Sequence, residues 1–284
     1  MPRASIKASQ MSDLDLPKDG APVLRKRLSG FLANHSAWKG PLRRALRRIT
    51  DNSWSAVIFG GVLRDLLIFG ASEVPRDVDI VVEGVTASDL ERVFRDLIFE
   101  TNRFGGLRLR TKGWLIDIWC LQDTWAIRNK MVESVGLRDL VRTTFLNVEA
   151  VAADIGAVRG RPRRILSSGF FEAIEKQVLD INLESNPHPA LCVIRTITTA
   201  IRLDFFLSPR LAKYIVEQTR KASVRRIMEA QESHYGKIRI REARISEVVA
   251  SLVEQLVDAS IQRLKIPATR MEQLELWKYW DPTC

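Results

Sequence analysis

The sequence predicts an α+β domain followed by an all-helical region. Short β-type segments alternate with helical ones over about 100 residues from Ser55, whereas helical periodicity continues almost throughout after Pro187. The length of 284 residues suits one compact domain with a helical partner, and a hydrophobic content of 46% is enough for a buried core. Collagen-like, low-complexity and wholly disordered classes are therefore excluded.

The net charge and the cysteine content indicate which kinds of ligand the protein can bind. The 44 Lys and Arg against 34 Asp and Glu give a net charge of +10, which favours a polyanionic partner such as nucleic acid or nucleotide phosphates. The three cysteines and three histidines lie far apart, which excludes a zinc finger or a disulfide framework. Any metal is expected to be bound by carboxylates. Since no apolar run reaches the roughly 20 residues that span a bilayer, we expect a cytoplasmic protein without a membrane partner.

Four regions are predicted along the chain. Residues 1–21 are polar and contain Pro and Gly, which is typical of a disordered leader. Residues 22–50 form a helical extension that Gly40-Pro41 divides into two helices. Residues 51–168 form the α+β domain and residues 169–284 the helical region, with the boundary near residues 156–170.

Each element follows from its local pattern. In the α+β domain we predict the strand Ser55–Phe59, the helix Val62–Phe69, the strand Asp77–Glu83, the helix Ala87–Glu100, and a hairpin of Leu107–Thr111 and Trp114–Leu121 that turns at Lys112-Gly113. In the helical region we predict helices over Leu191–Leu203, Ser208–Thr219 and Ile245–Leu264.

The most informative feature is the pair Asp77 and Asp79 on one predicted strand. Residues two apart on a strand project from the same face, about 7 Å apart along the chain. Such carboxylates hold one or two Mg²⁺ ions in phosphoryl-transfer sites. Val78, Ile80 and Val82 then point to the opposite face and anchor the strand. A pattern this short also fits two solvated acids at the end of an edge strand.

A diglycine turn lies upstream, between the strand Ser55–Phe59 and the helix that follows. Gly60 and Gly61 let the backbone approach a phosphate, and the helix start supplies free N–H groups. Arg64 adds a charge-assisted contact to the same phosphates, and Asp65 is placed to brace Arg64. The alternative for the turn alone is a tight corner with a surface ion pair. Together with the two acids, the turn predicts one site for a triphosphate and a metal.

These residues resemble a known family. The segment FGGVLRDLLIFGASEVPRDVDIVVEG (residues 59–84) resembles the head domain of class II tRNA CCA-adding enzymes and bacterial poly(A) polymerases, in the polymerase-β nucleotidyltransferase superfamily. The resemblance covers residues 55 to 250. It includes Asn102–Gly106, the strand around Asp117, the stretches 140–147 and 165–180, the neck helix 194–205 and the segment 241–247.

The resemblance implies an α+β nucleotidyltransferase head with a small mixed sheet, followed by a helical neck. It implies attack of a nucleic-acid 3′-hydroxyl on the α-phosphate of an NTP such as ATP, with release of pyrophosphate and two Mg²⁺ ions. The roles implied are metal binding for Asp77 and Asp79, a third carboxylate for Asp117, and nucleotide contacts for Gly60, Gly61, Arg64, Arg142, Asn147 and Arg195. For Asp117, an acid that ends a hairpin strand is an equally open interpretation.

The chain departs from the family pattern at three positions. Val141 and Thr143 replace an arginine and an aspartate that flank Arg142 in the family. In the neck, Arg195 matches the second arginine of the nucleotide-contacting motif, but Cys192 replaces the first and no Glu-Asp pair precedes it. We therefore do not expect the family's route of base selection.

A basic surface follows the neck. Residues 208–244 contain ten Lys or Arg and four Asp or Glu, which suits an RNA backbone but also fits an ordinary solvated helix face. The residues predicted to bind RNA, possibly tRNA, are Arg202, Arg220, Lys221, Arg225 and Arg226. Trp277, Tyr279 and Trp280 either stack on bases or pack onto the body.

Two classes of function remain open at this point. The first is a metal-dependent nucleotidyltransferase acting on an RNA 3′ end, a protein hydroxyl or a second nucleotide. Few residues follow the neck to measure a whole tRNA, for which a homodimer would compensate. The second is a non-catalytic RNA-binding or regulatory protein that keeps the fold, which the replacements at Thr143 and Cys192 favour.

Overall fold

The computed structural model describes residues 19–33, 40–70, 77–101, 105–109, 111, 115–156 and 161–268. Residues 1–18 of the predicted leader, the predicted turn at Lys112-Gly113 and the aromatic residues near the C-terminus lie outside these ranges. The last two residues of the predicted leader, Gly20 and Ala21, belong to the first helix instead. Within the described residues, no helix has the length and apolar character needed to cross a membrane.

Two helices precede the sheet domain. The helices α1 (Gly20–Ala33) and α2 (Gly40–Asp51) are separate, as the Gly40-Pro41 signal predicts. Leu24, Leu28 and Phe31 of α1 are fully buried against the body of the protein. Arg27 donates to the carbonyl oxygens at the end of α3 (Gly61–Phe69), which fixes α1 against the helix that follows the diglycine turn.

One seven-stranded mixed sheet forms the centre of the domain, in the order β3-β4-β5-β2-β1-β6-β7. The strands are β1 (Ser55–Phe59), β2 (Asp77–Glu83), β3 (Ile98–Thr101), β4 (Leu107–Leu109), β5 (Leu115–Cys120), β6 (Val151–Asp154) and β7 (Ile165–Ser167). The pair β2–β5 is parallel and the other neighbours are antiparallel. This architecture confirms the predicted α+β class.

The helix predicted over Ala87–Glu100 is wrong in its second half. Helix α4 spans Ala87–Phe94, with Thr86 and Asp89 forming a capping box at its start. Residues Ile98–Thr101 instead pair with β4 as strand β3. The alternating segment is recruited to the free edge of β4, because an edge strand with unpaired backbone groups is stabilised by a partner.

The two faces of the sheet pack differently. Val78, Ile80 and Val82 are buried in the main core on one face, as predicted from the strand pattern. On the other face, Val57 and Val81 pack against residues of the 121–141 segment in a second apolar cluster. That segment contains helix α5 (Trp125–Arg128) and the 3₁₀ helices Leu121–Asp123 and Leu137–Arg142.

The region after residue 169 is mainly helical. Its helices are α6 (Phe170–Lys176), α7 (Pro189–Leu203), α8 (Pro209–Tyr235) and α9 (Glu242–Val257), and strands β8 (Val178–Leu179) and β9 (Phe206–Leu207) form a small parallel pair. Helix α8 is longer than predicted and breaks at Ser223, whose φ is 62°. Helix α9 ends seven residues before the predicted Leu264, since Leu264 bridges instead to Leu207.

Candidate active site

The diglycine turn connects β1 to α3 as the sequence predicts. Gly60 has φ 77° and ψ −137°, a conformation that favours glycine, and its N–H donates to the carbonyl oxygen of Val151 at 2.9 Å. A Cβ added at Gly61 would meet the Arg64 Nη2 atom at 3.5 Å, which is an ordinary contact. The fold itself therefore does not require glycine at position 61, and its absence of a side chain leaves the backbone open to a ligand.

The two acids of β2 lie beside this turn. Asp79 pairs in register with Phe59, the last residue of β1 before the glycines, so the start of β2 and the end of β1 meet at one edge of the face. Asp77 lies on the same face as Asp79 because it is two residues away on the strand. Both side chains are partly exposed. The apolar cluster of Val57 and Val81 covers the neighbouring part of the face.

Asp117 joins the two acids from the adjacent strand. It pairs with Asp79 in the parallel β2–β5 register, and neighbouring strands lie about 4.8 Å apart. Asp77, Asp79 and Asp117 are named here the carboxylate cluster. The chain thus brings together the three carboxylates that sequence reasoning selected.

The cluster is only partly suited to a metal. Asp77 and Asp79 lie on one face of the sheet, and their carboxylate oxygens are the hard ligands that Mg²⁺ prefers. Both oxygens of Asp117 accept hydrogen bonds from Arg108 on β4, at 3.0 and 3.2 Å. Among the described residues, no three His, Cys, Asp or Glu side chains are arranged to hold a metal ion. The donor set fits a site of two carboxylates.

Arg64 is buried directly behind the turn. Its side chain is 3% exposed, its Nε donates to Asp65 at 2.8 Å, and its Nη1 lies 3.6 Å from Glu149. Burial opposes the charge of Arg64, but the carboxylates of Asp65 and Glu149 outweigh burial and raise its pKa. The brace predicted from Asp65 to Arg64 is thus present.

Two neck arginines on α7 complete this network. Arg195 donates to Glu149 at 2.9 Å and is 49% exposed, and the charge of Glu149 raises its pKa. Arg202 pairs with Asp65 and is 2% exposed, 5.5 Å from the ring of Phe69. We call Arg64, Asp65, Glu149, Arg195 and Arg202 the arginine junction. The RNA contact predicted for Arg202 does not fit its burial, because its guanidinium is held in the interior.

The other predicted nucleotide contacts lie in different surroundings. Arg142 is exposed at the end of the 3₁₀ helix that packs on the acidic face, 3.7 Å from Asp139. The Asn147 amide donates to the carbonyl oxygen of Val178 at 3.1 Å and accepts from the N–H of Asp180 at 3.0 Å. Those bonds tie Asn147 to β8 and give it a bracing role, and its contact with a nucleotide stays a prediction.

The basic surface of α8 consists of Arg220, Lys221, Arg225 and Arg226, all of which are exposed. Lys221 lies 4.0 Å from Glu217 and Arg225 lies 3.0 Å from Glu229, one turn away on the same helix. Such exposed pairs are worth little and leave the cations accessible. Ser223 breaks the helix within this surface.

Sequence reasoning missed Arg108 and Glu149. Arg108 faces Asp117 across the β4–β5 hairpin, a register that the turn at Lys112-Gly113 already implies. Glu149 joins Arg64 to Arg195 through contacts between segments far apart in sequence, and its local pattern gives no signal.

Comparison with known proteins gives a likeness at the level of the fold. No protein-family model matches the sequence, and no curated protein matches it. Solved structures do match. The chain aligns with the CCA-adding enzyme of Thermotoga maritima complexed with tRNA at a TM-score of 0.55 and 20% identity, covering 79% of this chain and 53% of that one.

Two further solved structures show the same likeness. A tRNA nucleotidyltransferase complexed with a primer tRNA and an incoming ATP analogue aligns at a TM-score of 0.52 and 19% identity, over 76% of this chain and 63% of that one. A CCA-adding enzyme in complex with ATP aligns at a TM-score of 0.54 and 20% identity, over 83% and 53%. The chain thus shares the fold of these enzymes and spans little more than half their length.

Proposed function

We propose that the chain is a metal-dependent nucleotidyltransferase that transfers a nucleotide from an NTP to an acceptor hydroxyl, with an RNA 3′ end such as that of tRNA as the acceptor. The observation that supports it most is the register of Asp79 with Phe59, which sets the paired acids beside the diglycine turn. The likeness to solved enzymes complexed with tRNA and ATP supports the same substrates.

Each group has a role in this reaction. The acceptor oxygen attacks the α-phosphorus, the bond to the bridging oxygen of the β-phosphate breaks, and pyrophosphate leaves. Asp77 and Asp79 would hold Mg²⁺, which when bound neutralises phosphate charge and lowers the pKa of the acceptor hydroxyl. The N–H groups of Gly61 and Val62 begin α3 and would face the triphosphate, whereas those of Leu63 and Arg64 donate to the carbonyl oxygen of Gly60. The protein thus acts by positioning and by electrostatics.

The arginine junction supplies positive charge behind the turn. Three arginines in it face two carboxylates, which leaves one positive charge in excess over these five residues. Arg195 is the most exposed of the three, so it is the one placed to contact a bound nucleotide. Arg64 is buried behind the turn, where it contributes its positive charge and fixes the position of α3.

Turnover with labelled substrates tests the proposal. The full chain is incubated with Mg²⁺, total RNA and each labelled NTP in turn, and pyrophosphate release and label in RNA are measured. We expect turnover that is lost in Asp77→Asn and in Asp79→Asn. Asp154→Asn is the matched control, since Asp154 lies on the same sheet and pairs with Arg164. Its activity should remain.

A non-catalytic RNA-binding protein is the second candidate. The observation that favours it is Glu149, whose carboxylate already holds both Arg64 and Arg195. This candidate predicts salt-sensitive RNA binding with no turnover of any NTP, and with equal RNA affinity in wild type and Asp79→Asn.

A further inference from the structure

Arg108 connects the carboxylate cluster to the edge of the sheet. Residues Glu100, Arg108, Asp117 and Asp79 occupy one row across strands β3, β4, β5 and β2. Arg108 donates from Nε and Nη2 to the two oxygens of Asp117, and from Nη1 to Glu100 at 3.1 Å. One guanidinium therefore bridges Glu100 and Asp117, which are its two neighbours in the row.

The bridge to Asp117 is the stronger of the two. It is bidentate, and Asp117 is 10% exposed and Arg108 27% exposed, whereas Glu100 is mostly exposed. Planar bidentate pairs of this kind are the strong charge-assisted hydrogen bonds. The hydrogen bond to Asp117 also raises the pKa of Arg108. The pair is thus a fixed part of the site and not a passing surface contact.

In a carboxylate held in this way, each oxygen has one lone pair committed to the guanidinium, which makes it a weaker ligand for a cation. Its neighbour in register, Asp79, is a proposed metal ligand, and the parallel pairing places Asp117 on the same face within reach of the same ion. The positive charge of Arg108 beside that ion also opposes cation binding. The hydrogen bonds from Arg108 and its positive charge therefore both weaken cation binding at Asp117.

We propose that Arg108 is a positioning residue that withholds Asp117 from the divalent cation, so that Asp77 and Asp79 alone ligate it. This inference rests on the proposed function, because it assigns the ligand set of the same site. It predicts that the site binds its cation more weakly than three carboxylates would, and that Arg108 sets this difference.

Binding of Mn²⁺ to the full chain, followed by electron paramagnetic resonance of the free ion, tests the inference without turnover. In Arg108→Gln the carboxylate of Asp117 is released and one positive charge is removed. We expect the Kd for Mn²⁺ to fall about tenfold, since affinity rises with the number of charged ligands. The control is Arg164→Gln, which removes a similar Arg–Asp pair between the residue before β7 and the end of β6 and should leave the Kd unchanged.

The double variant Arg108→Gln/Asp117→Asn separates the two roles of Asp117. It removes both charges at near-constant shape, and we expect its Kd to match that of wild type. A double variant that binds Mn²⁺ about tenfold more weakly than wild type would show that Asp117 is a ligand already, and the inference would be wrong. That comparison decides the question even where Arg108→Gln alone does not fold.

Failure of the proposed function gives a different pattern. In that case the wild-type protein either does not bind Mn²⁺ or binds it as well as Asp79→Asn does. Both the proposed function and the inference would then be wrong. If wild type binds Mn²⁺ through Asp79 but Arg108→Gln leaves the Kd unchanged, the inference about Arg108 alone is overturned.

Discussion

The carboxylate cluster and the arginine junction both adjoin the diglycine turn and carry opposite charge. In the cluster, Asp117 pairs with Arg108 and lies beside Asp79 in the β2–β5 register. In the junction, three arginines face two carboxylates. A nucleoside triphosphate with its cation also carries both signs. Asp77 and Asp79 are partly exposed, as the proposed binding of a cation requires, whereas most junction charges are buried and serve the fold.

The largest effect expected from this comparison is on catalysis at the cluster. Asp79→Asn should lower the rate of pyrophosphate release by about 10³-fold, as expected when a main electrostatic group is removed. Its Tm should remain close to that of wild type, because Asp79 is partly exposed. A variant that keeps full activity would show that the cluster is not the active site.

Substitutions in the arginine junction should change the stability of the fold rather than the rate of catalysis. Arg202→Met removes a buried partner of Asp65, and we expect the free energy of unfolding to fall by about 2 kcal/mol, since Arg64 still pairs with Asp65. The control Arg210→Met removes an exposed partner of Glu184 and should cost less than about 1 kcal/mol. Urea unfolding monitored by circular dichroism measures both. Equal costs in the two variants would contradict a structural role for the junction.

The basic surface of α8 should contribute to RNA affinity. Replacing Arg220, Lys221, Arg225 and Arg226 by Ala should weaken RNA binding about tenfold at low salt and flatten its salt dependence, because fewer counterions are released. Fluorescence anisotropy with labelled RNA at several salt concentrations measures this. The control Arg92→Ala removes an exposed arginine on α4. An unchanged salt slope would place the RNA elsewhere.

A substitution in the diglycine turn is expected to weaken nucleotide binding without affecting folding. Gly61→Ala puts a methyl group where the fold has room, so the Tm should be unchanged or slightly higher. The KM for the NTP should rise several-fold, since the added Cβ obstructs a phosphate near the backbone. A KM equal to that of wild type would contradict the assignment of Gly61.

The smallest effect concerns pH and the junction. Burial alone would raise the pKa of Asp65, but the charges of Arg202 and Arg64 outweigh burial and lower it. A carboxyl with a lowered pKa in the folded state stabilises the fold above its unfolded pKa of about 3.9 and loses that contribution as pH falls through the folded value.

We therefore expect the stability difference between wild type and Asp65→Asn to be constant near neutral pH and to shrink below about pH 4. Unfolding free energies measured from pH 2.5 to pH 7 test this expectation. A difference that grows with acid would give the wrong sign and contradict the ion pairs of Asp65.

The sequence predicted what depends on local pattern. The bounds of β1 and β2, the diglycine turn and the end of α7 follow from alternation, glycine and helical periodicity, and the structure confirms them. Helix α7 begins at Pro189, two residues before the predicted Leu191. The ends of α4 and α9 were not predictable in this way, because they are set by pairing with β4 and with Leu207. Long-range contacts override local helical periodicity there.

The residues of the candidate site, too, were predictable only where a local pattern identifies them. The three aspartates were found because strand alternation and one resemblance identify them. Arg108 was within reach, since a hairpin turning at Lys112-Gly113 places residue 108 opposite residue 117. Glu149 and the burial of Arg202 depend on how α7 packs against the sheet domain, which no local pattern records.

The most direct test of the central claim is the position of a bound cation. Crystals grown with Mn²⁺ and a non-hydrolysable ATP analogue are measured at the manganese absorption edge. We predict an anomalous peak within about 2.2 Å of oxygens of both Asp77 and Asp79, with the triphosphate at Gly61. Bound analogue with no peak at these two aspartates, or with a peak elsewhere, would contradict the account.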